Sequence, residues 1–342
     1  MKKKILITGG AGFIGFNSAI YFNNNNYEVH AIDDLSRKGV SKNLIKFKKN
    51  KINFYKVDIK NFGNLLKVLK KIRPSIILHQ AGQVTVTKSF ENPRFDMRSN
   101  IEGTINILEC IRILKIKPIF VYPSTNKVYG SLESIKVLKR NKRYQYKSIK
   151  GINEKMPIFF ESPYGCSKGA AEQYIIDYSK VYDFKAFILR QSCIYGPHQF
   201  GHEGQGWISW ILMCAIFKKK INLFGNGLQV RDLLFIDDLL EIYELILTKA
   251  KYLKSTIFNV GGEIKNSMSI LELLDFIKKE FKIKVKYRKK KERSGDQKIY
   301  ISDCSKAKKQ LGWEVRTNIM QGIYKLKEWI LTEKKYLQKA IK

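Results

Sequence analysis

A short apolar strand, Lys4 to Thr8, runs directly into Gly9-x-x-Gly12-x-x-Gly15, and a stretch with helical periodicity follows at once. This order of strand, glycine turn and helix constrains the fold more than any other feature of the chain. Glycines let the backbone turn tightly and approach a pyrophosphate, while the new helix offers unpaired N–H groups and the positive end of its dipole. The spacing is G-x-x-G-x-x-G, one residue longer at its start than the usual G-x-G-x-x-G fingerprint. Asp33, 18 residues after Gly15, closes the next predicted strand and is placed to accept hydrogen bonds from an adenosine ribose. Its carboxylate favours NAD over NADP, although Arg37 and Lys38 leave room for a 2′-phosphate. Asp58 ends the third strand, within reach of an adenine amino group.

The first half alternates β-rich runs with helical periodicity, the pattern of a parallel sheet covered on both faces. Strands are predicted at Lys4–Thr8, Val29–Asp33, Asn53–Val57, Ile76–His79, Pro118–Tyr122 and Ala186–Arg190. Helices are predicted at Ile14–Phe22, Leu65–Lys71, Asn100–Leu114 and Tyr164–Tyr182. The fold class is therefore α/β: a Rossmann-type doubly wound parallel sheet with a smaller mixed α/β substrate-binding domain after it. Residues 1–180 form the expected nucleotide domain, to which segments near 185–195 and 230–250 return. Residues 181–335 form the substrate domain, and 336–342 a basic tail read as a frayed surface helix.

The chain has 342 residues, enough for a large core, and 44% of them are hydrophobic. No apolar run approaches the roughly 18 residues that span a bilayer. The Lys-rich start followed by Ile5-Leu6-Ile7 resembles a signal peptide, but Gly9 and Gly10 end the apolar stretch too early. A cytoplasmic location and no membrane partner are expected. Five scattered cysteines, with no C-x-x-C pair, read as reduced thiols without a disulfide framework or metal site. The formal net charge is +34, but the lysines are spread over the whole length. That distribution reads as solvated surface, so no nucleic-acid partner is expected, though the field would speed the arrival of an anionic substrate.

The second informative motif is Tyr164-x-x-x-Lys168, opened by Pro163. Proline suits the first turn of a helix, and residues four apart share a face. A phenol ordinarily ionises near pH 10, and a neighbouring ammonium favours its phenolate. Tyr164 then serves as a base for a sugar hydroxyl during hydride transfer. Ser124 and Thr125 end the preceding strand, and either hydroxyl suits a hydrogen bond to the reacting group.

These motifs resemble the extended short-chain dehydrogenase/reductase family, the NAD-dependent nucleotide-sugar epimerases and dehydratases, over nearly the whole chain. The resemblance implies NAD contacts by Gly9, Gly12, Phe13, Ile14, Gly15, Asp33, Asp58, Ile59, Gln80, Ala81, Asn100, Tyr164, Lys168 and Gln191. It implies catalysis by Tyr164, Lys168 and Thr125 or Ser124. It further implies substrate contacts by Gln83, Asn126, Gln205, Trp207, Arg231, Arg293 and Asp296, with the two arginines gripping a diphosphate. Local stretches such as His79-Gln80-Ala81-Gly82-Gln83-Val84 and Ser124-Thr125-Asn126-Lys127-Val128-Tyr129-Gly130 are similar to a branch that inverts C2 of CDP-paratose to CDP-tyvelose. The expected partner is thus a CDP-linked sugar. Asn126-Lys127 stand where a dehydratase needs an acid/base pair, which speaks against dehydration. The family also implies a homodimer or higher homo-oligomer through Asn100–Leu114 and Tyr164–Tyr182.

Overall fold

The computed structural model describes residues 2–293 and 295–340. Its contacts divide the chain into two compact units. The first comprises residues 1–125, 162–190 and 240–258; the second comprises 126–161, 191–239 and 259–342.

The first unit carries a seven-stranded parallel sheet. In chain order its strands are β1 (Lys4–Thr8), β2 (Glu28–Asp33), β3 (Asn53–Lys56), β4 (Ile76–His79), β5 (Ile119–Thr125), β6 (Lys185–Gln191) and β7 (Thr256–Val260). They lie in the order β7-β6-β5-β4-β1-β2-β3. The chain starts in the middle, builds outward one way, then returns to build the other, and ligands of such sheets bind beyond the strand ends where the order reverses. Register follows burial: Leu6 lies beside His30 on one side and Ile77 on the other. Both faces are covered, so β1 and β4 are buried almost throughout rather than alternating.

Helices of this unit include α1 (Phe13–Asn24), α2 (Phe62–Ile72), α3 (Pro93–Met97), α4 (Gly103–Ile113) and α5 (Pro163–Val181). Helix α2 shows why such segments fold: Asn61 caps it, accepting from the Asn64 N–H, and Leu65, Leu69 and Ile72 form its buried stripe. Helices α3 and α4 are joined by a π-helical turn, Arg98–Glu102, which places Asn100 in the interior.

The second unit is assembled from short strands. Val230–Phe235 pairs with Cys193–Tyr195 and Ile299–Tyr300 in parallel and with Ser267–Ser269 antiparallel. Ile221–Phe224 pairs with Tyr287–Lys290, and Val137–Arg140 forms a hairpin with Arg143–Tyr146. A core of Val128, Tyr129, Tyr146, Ile152, Val230 and Tyr300 holds these pieces together. The helices Ile270–Phe281 and Ile319–Thr332 each begin with a reciprocal capping box, at Ser269/Glu272 and Asn318/Gln321.

The expected tail helix is Lys334–Ala340, docked through the buried Leu337 and the ring of Tyr336 against Phe200. Residues 341–342 lie outside the described residues. No described helix is long and apolar enough to cross a membrane.

Candidate active site

The glycine turn is fixed by close approach as well as by dihedral angle. Gly9 has φ +61°, and a Cβ there would stand 2.7 Å from the backbone nitrogen of Ala81. A Cβ at Gly15 would collide with the Gly9 carbonyl oxygen. Gly12 is different: the nearest atom to its Cβ would be that same oxygen at 3.2 Å, with otherwise open space. The cradle is therefore sealed where the chain packs and open where a phosphate would lie, at the start of α1, whose first turn holds Phe13 and Ile14 half-buried.

Asp33 ends β2 and accepts hydrogen bonds from the N–H groups of Ala11 (3.0 Å) and Leu35 (2.8 Å). Burial pushes its carboxyl pKa up, and these two donors pull against that. Each oxygen keeps acceptor capacity for a ribose hydroxyl. These residues fit a dinucleotide. Asp58 is held by Lys60, through its backbone N–H at 2.9 Å and its ammonium at 3.0 Å. Ile59 is buried, and a Cβ at Gly103 would press into it, 2.5 Å from Cδ1. Gln80 donates to the Tyr243 hydroxyl at 3.1 Å, and Ala81 N–H donates to Thr8 Oγ1 at 3.0 Å. Gln191 is buried at the end of β6.

The acid/base residues lie at the end of β5 and on α5. Ser162 caps α5 by accepting from the Gly165 N–H at 3.1 Å, and Pro163 occupies its first turn. Tyr164, only 8% exposed, is hydrogen-bonded to Thr125. Ser124 has a different partner: its hydroxyl donates to Glu172, which is fully buried. Glu172 also receives Arg190, whose Nη2 lies 2.7 Å from Oε2 and whose Nε lies 3.2 Å from both oxygens. On the other side stands Asp96, also fully buried, accepting from Ser167 (2.5 Å) and Gln83 (2.7 Å). Asn100 accepts from the Gln83 backbone N–H at 2.9 Å and donates to Ser167 Oγ at 3.0 Å. Gln83 therefore directs both amide hydrogens inward, to Asp96 and to the Thr85 carbonyl.

Burial dominates the electrostatics of the pair. Burial pushes the Tyr164 phenol up to about 12; the Thr125 hydrogen bond and Arg37 oppose this, and Asp96 reinforces it. Lys168 stands four residues further along α5. Its ammonium sits 4.0 Å above the Tyr122 ring. Burial pulls Lys168 down to about 7, while Glu172, one turn further along α5, and Asp96 hold it up. Sequence reading missed Glu172, Asp96 and Arg190. The spacing Lys168-x-x-x-Glu172 was a usable signal for the first, whereas Asp96 and Arg190 become visible only by folding.

In the second unit, Arg231 Nη2 lies 2.5 Å from Asp296 Oδ1. Lys127 Nζ lies 3.7 Å from the same oxygen and donates to the Gly295 carbonyl at 3.0 Å. Arg293 stacks over Phe224, 3.7 Å from the ring centre, and donates to the Glu203 carbonyl at 2.9 Å. Burial alone would raise the Asp296 carboxyl, but Arg231, Lys127 and Arg293 hold it below its ordinary value. Asn126 donates to Gln297 at 2.7 Å, and the backbones of Gln205 and His202 pair just before Trp207 opens its helix. Among the described residues, no three His, Cys, Asp or Glu side chains stand together as a metal site.

A glycine cradle at the switch point of a parallel sheet, followed by a buried Tyr/Lys pair, is the architecture of NAD-dependent nucleotide-sugar epimerases and dehydratases. The chain belongs to that group: the family described as GDP-mannose 4,6 dehydratase matches residues 6–326. It is 35% identical over 333 residues to CDP-paratose 2-epimerase of Salmonella typhi, covering 95% of this chain and 98% of that protein. Among solved structures it is similar to UDP-glucose 4-epimerase of Thermotoga maritima, solved with UDP-glucose. That match has TM-score 0.84 and 28% identity, over 96% of this chain and 99% of that one. The UDP-glucose 4-epimerase of Thermus thermophilus, solved in complex with NAD, matches with TM-score 0.82 and 26% identity over the same shares.

Proposed function

We propose that this chain inverts C2 of CDP-paratose to give CDP-tyvelose, using NAD held by the Gly9–Gly15 cradle and Asp33. The observation that carries the reading is the pairing of Tyr164 with Thr125 beside a buried, charge-balanced Lys168. Thr125 is the hydroxyl partner of the reaction, because Ser124 already gives its proton to Glu172. Bound NAD supplies a hydride acceptor that returns the hydride to the opposite face of the carbon it came from. Tyr164 takes the proton of the C2 hydroxyl as the carbon is oxidised and returns it on reduction. A keto group elsewhere on the ring is not needed, since C2 is oxidised directly. Lys168 supplies positive charge to the site as the phenolate forms. Asn100 holds Gln83 and Ser167 in place around it. Arg231 and Arg293 grip the diphosphate, with Asp296 close to the nucleotide, and Asn126, Gln205 and Trp207 complete the substrate contacts.

Asn126 and Lys127, at the position after Thr125, cannot provide the carboxylic acid and carboxylate that dehydration requires. Inversion at C4 is the alternative, favoured by the likeness to UDP-glucose 4-epimerases. The test is incubation with CDP-paratose deuterated at C2, and separately with UDP-glucose, read by NMR. Inversion at C2 with the label retained is the expected result. Inversion at C4 only, or washout of the label, overturns it.

We further assign a homodimer through α4 and α5. Tyr174, Val181 and Tyr182 on or at the end of α5, and Ile113 on α4, are exposed apolar side chains that pairing would cover. Light scattering during size exclusion would show twice the chain mass, and a monomer would refute it. A cytoplasmic site of action completes the reading.

A further inference from the structure

Lys127 has no role in the chemistry above, yet it is largely buried, with 15% of its side chain exposed. The ionisable groups acting on it are Asp296, Arg231 and Cys193. Arg293 acts on Asp296 in turn, and the exposed Glu203 acts on Arg293. Three cations thus converge on one partly exposed carboxylate, and that carboxylate already takes Arg231 as its direct partner. The group holds more positive charge than the protein neutralises. Beside it, the buried indole N–H of Trp207 faces the Cys193 thiol as a hydrogen-bond partner. Converging cations around one carboxylate describe a place shaped for an anion.

We propose that Lys127 is a third cation of the diphosphate site, contacting the substrate's phosphate oxygens together with Arg231 and Arg293. This rests on the reading of the two arginines as the diphosphate grip. The negative charge of a nucleoside diphosphate ester would meet the positive charge that Asp296 and Glu203 leave over. Burial, helped by the nearby Arg231, brings Lys127 down to about 8, and Asp296 only partly restores it. An arriving anion reverses that penalty, so Lys127 gains a proton when the ligand binds above pH 8.

The experiment is calorimetric titration of the full chain with CDP, at pH 6.5 and 8.5, in buffers of different ionisation enthalpy. The wild type should take up a proton on binding at pH 8.5 and much less at 6.5. Lys127→Met should bind CDP about tenfold or more weakly at pH 6.5 and lose the uptake. Lys127→Arg should regain affinity without uptake, because guanidinium stays charged. NAD affinity, measured in parallel, should be unchanged in both and confirms folding. If Lys127→Met binds CDP with wild-type affinity and proton uptake while Arg231→Lys is weakened, the proposal fails and the arginine grip stands. If neither variant alters CDP binding, the grip itself is wrong.

Discussion

Two lysines, the buried Lys168 and the largely buried Lys127, differ in their company. Lys168 in the first unit is faced by two carboxylates, Glu172 and Asp96, and Glu172 is itself paired with Arg190. Positive and negative groups match there without any ligand. Lys127 in the second unit faces a single carboxylate shared with two arginines. Burial lowers both ammonium groups, to about 7 and about 8, so exposure does not distinguish them. The neighbours do. A self-balanced cluster suits a group that must keep its charge through a reaction cycle, and an unbalanced one suits a group that waits for an anion.

The comparison can be broken most severely at the group the first cluster serves. Tyr164→Phe should lower turnover by about 10²–10⁴-fold, with the unfolding midpoint close to that of the wild type, in a coupled assay of the epimerised product. Wild-type turnover would end the assignment.

Next in size is the balance itself. Glu172→Leu strands Arg190 in the core and should cost about 3–5 kcal/mol of stability, read by urea unfolding. Adding Arg190→Met should recover most of that loss, because the pair is then replaced by apolar groups. A single variant as stable as the wild type would show the pair is not what holds this region.

A third test uses pH. The folded pKa of Lys168 is depressed, so between about pH 7 and its ordinary 10.5 the unfolded chain binds a proton that the folded one does not. The stability of the wild type relative to Lys168→Met should therefore rise with pH across that window, by at most about 1.4 kcal/mol per pH unit. A flat difference would mean that Glu172 and Asp96 hold the ammonium near its ordinary value.

The smallest effect belongs to a surface control. Lys117→Ala removes an exposed pair with Asp183, and the thermal midpoint should not change measurably. A clear loss there would undercut the argument that burial separates the charges that matter.

The same contrast explains what the sequence made legible. The parallel sheet was readable because its strands are buried on both faces and form short apolar runs between helices with a clear 3.6-residue period. All six strands expected in that sheet are present, with ends moved by at most three residues. The second unit was harder. Tyr287–Lys290 is a strand of exposed residues, pairing with Ile221–Phe224 across more than sixty positions, so no local pattern marks it. The hairpin Val137–Tyr146 is rich in Lys and Arg and reads as a loop. At the candidate site, Tyr164, Lys168 and the glycine cradle announce themselves by spacing. Asp96 comes from a short helix, and its link to Ser167 joins residues 71 apart. The i, i+4 spacing of Tyr164 and Lys168 fixes a shared helix face, but not the direction in which a long flexible side chain ends.

The π turn at Arg98–Glu102 separates two kinds of information in one rod. A helix that widens for a single turn absorbs an additional residue locally, so the rows before and after it keep their facing. Deleting one residue within the turn would return it to ordinary winding while Ile107, Leu108 and Ile111 still met the sheet. Asn100 alone would swing away from Gln83 and Ser167. Architecture and chemistry are thus written there in separately editable letters, and drift in the one need not drag the other along.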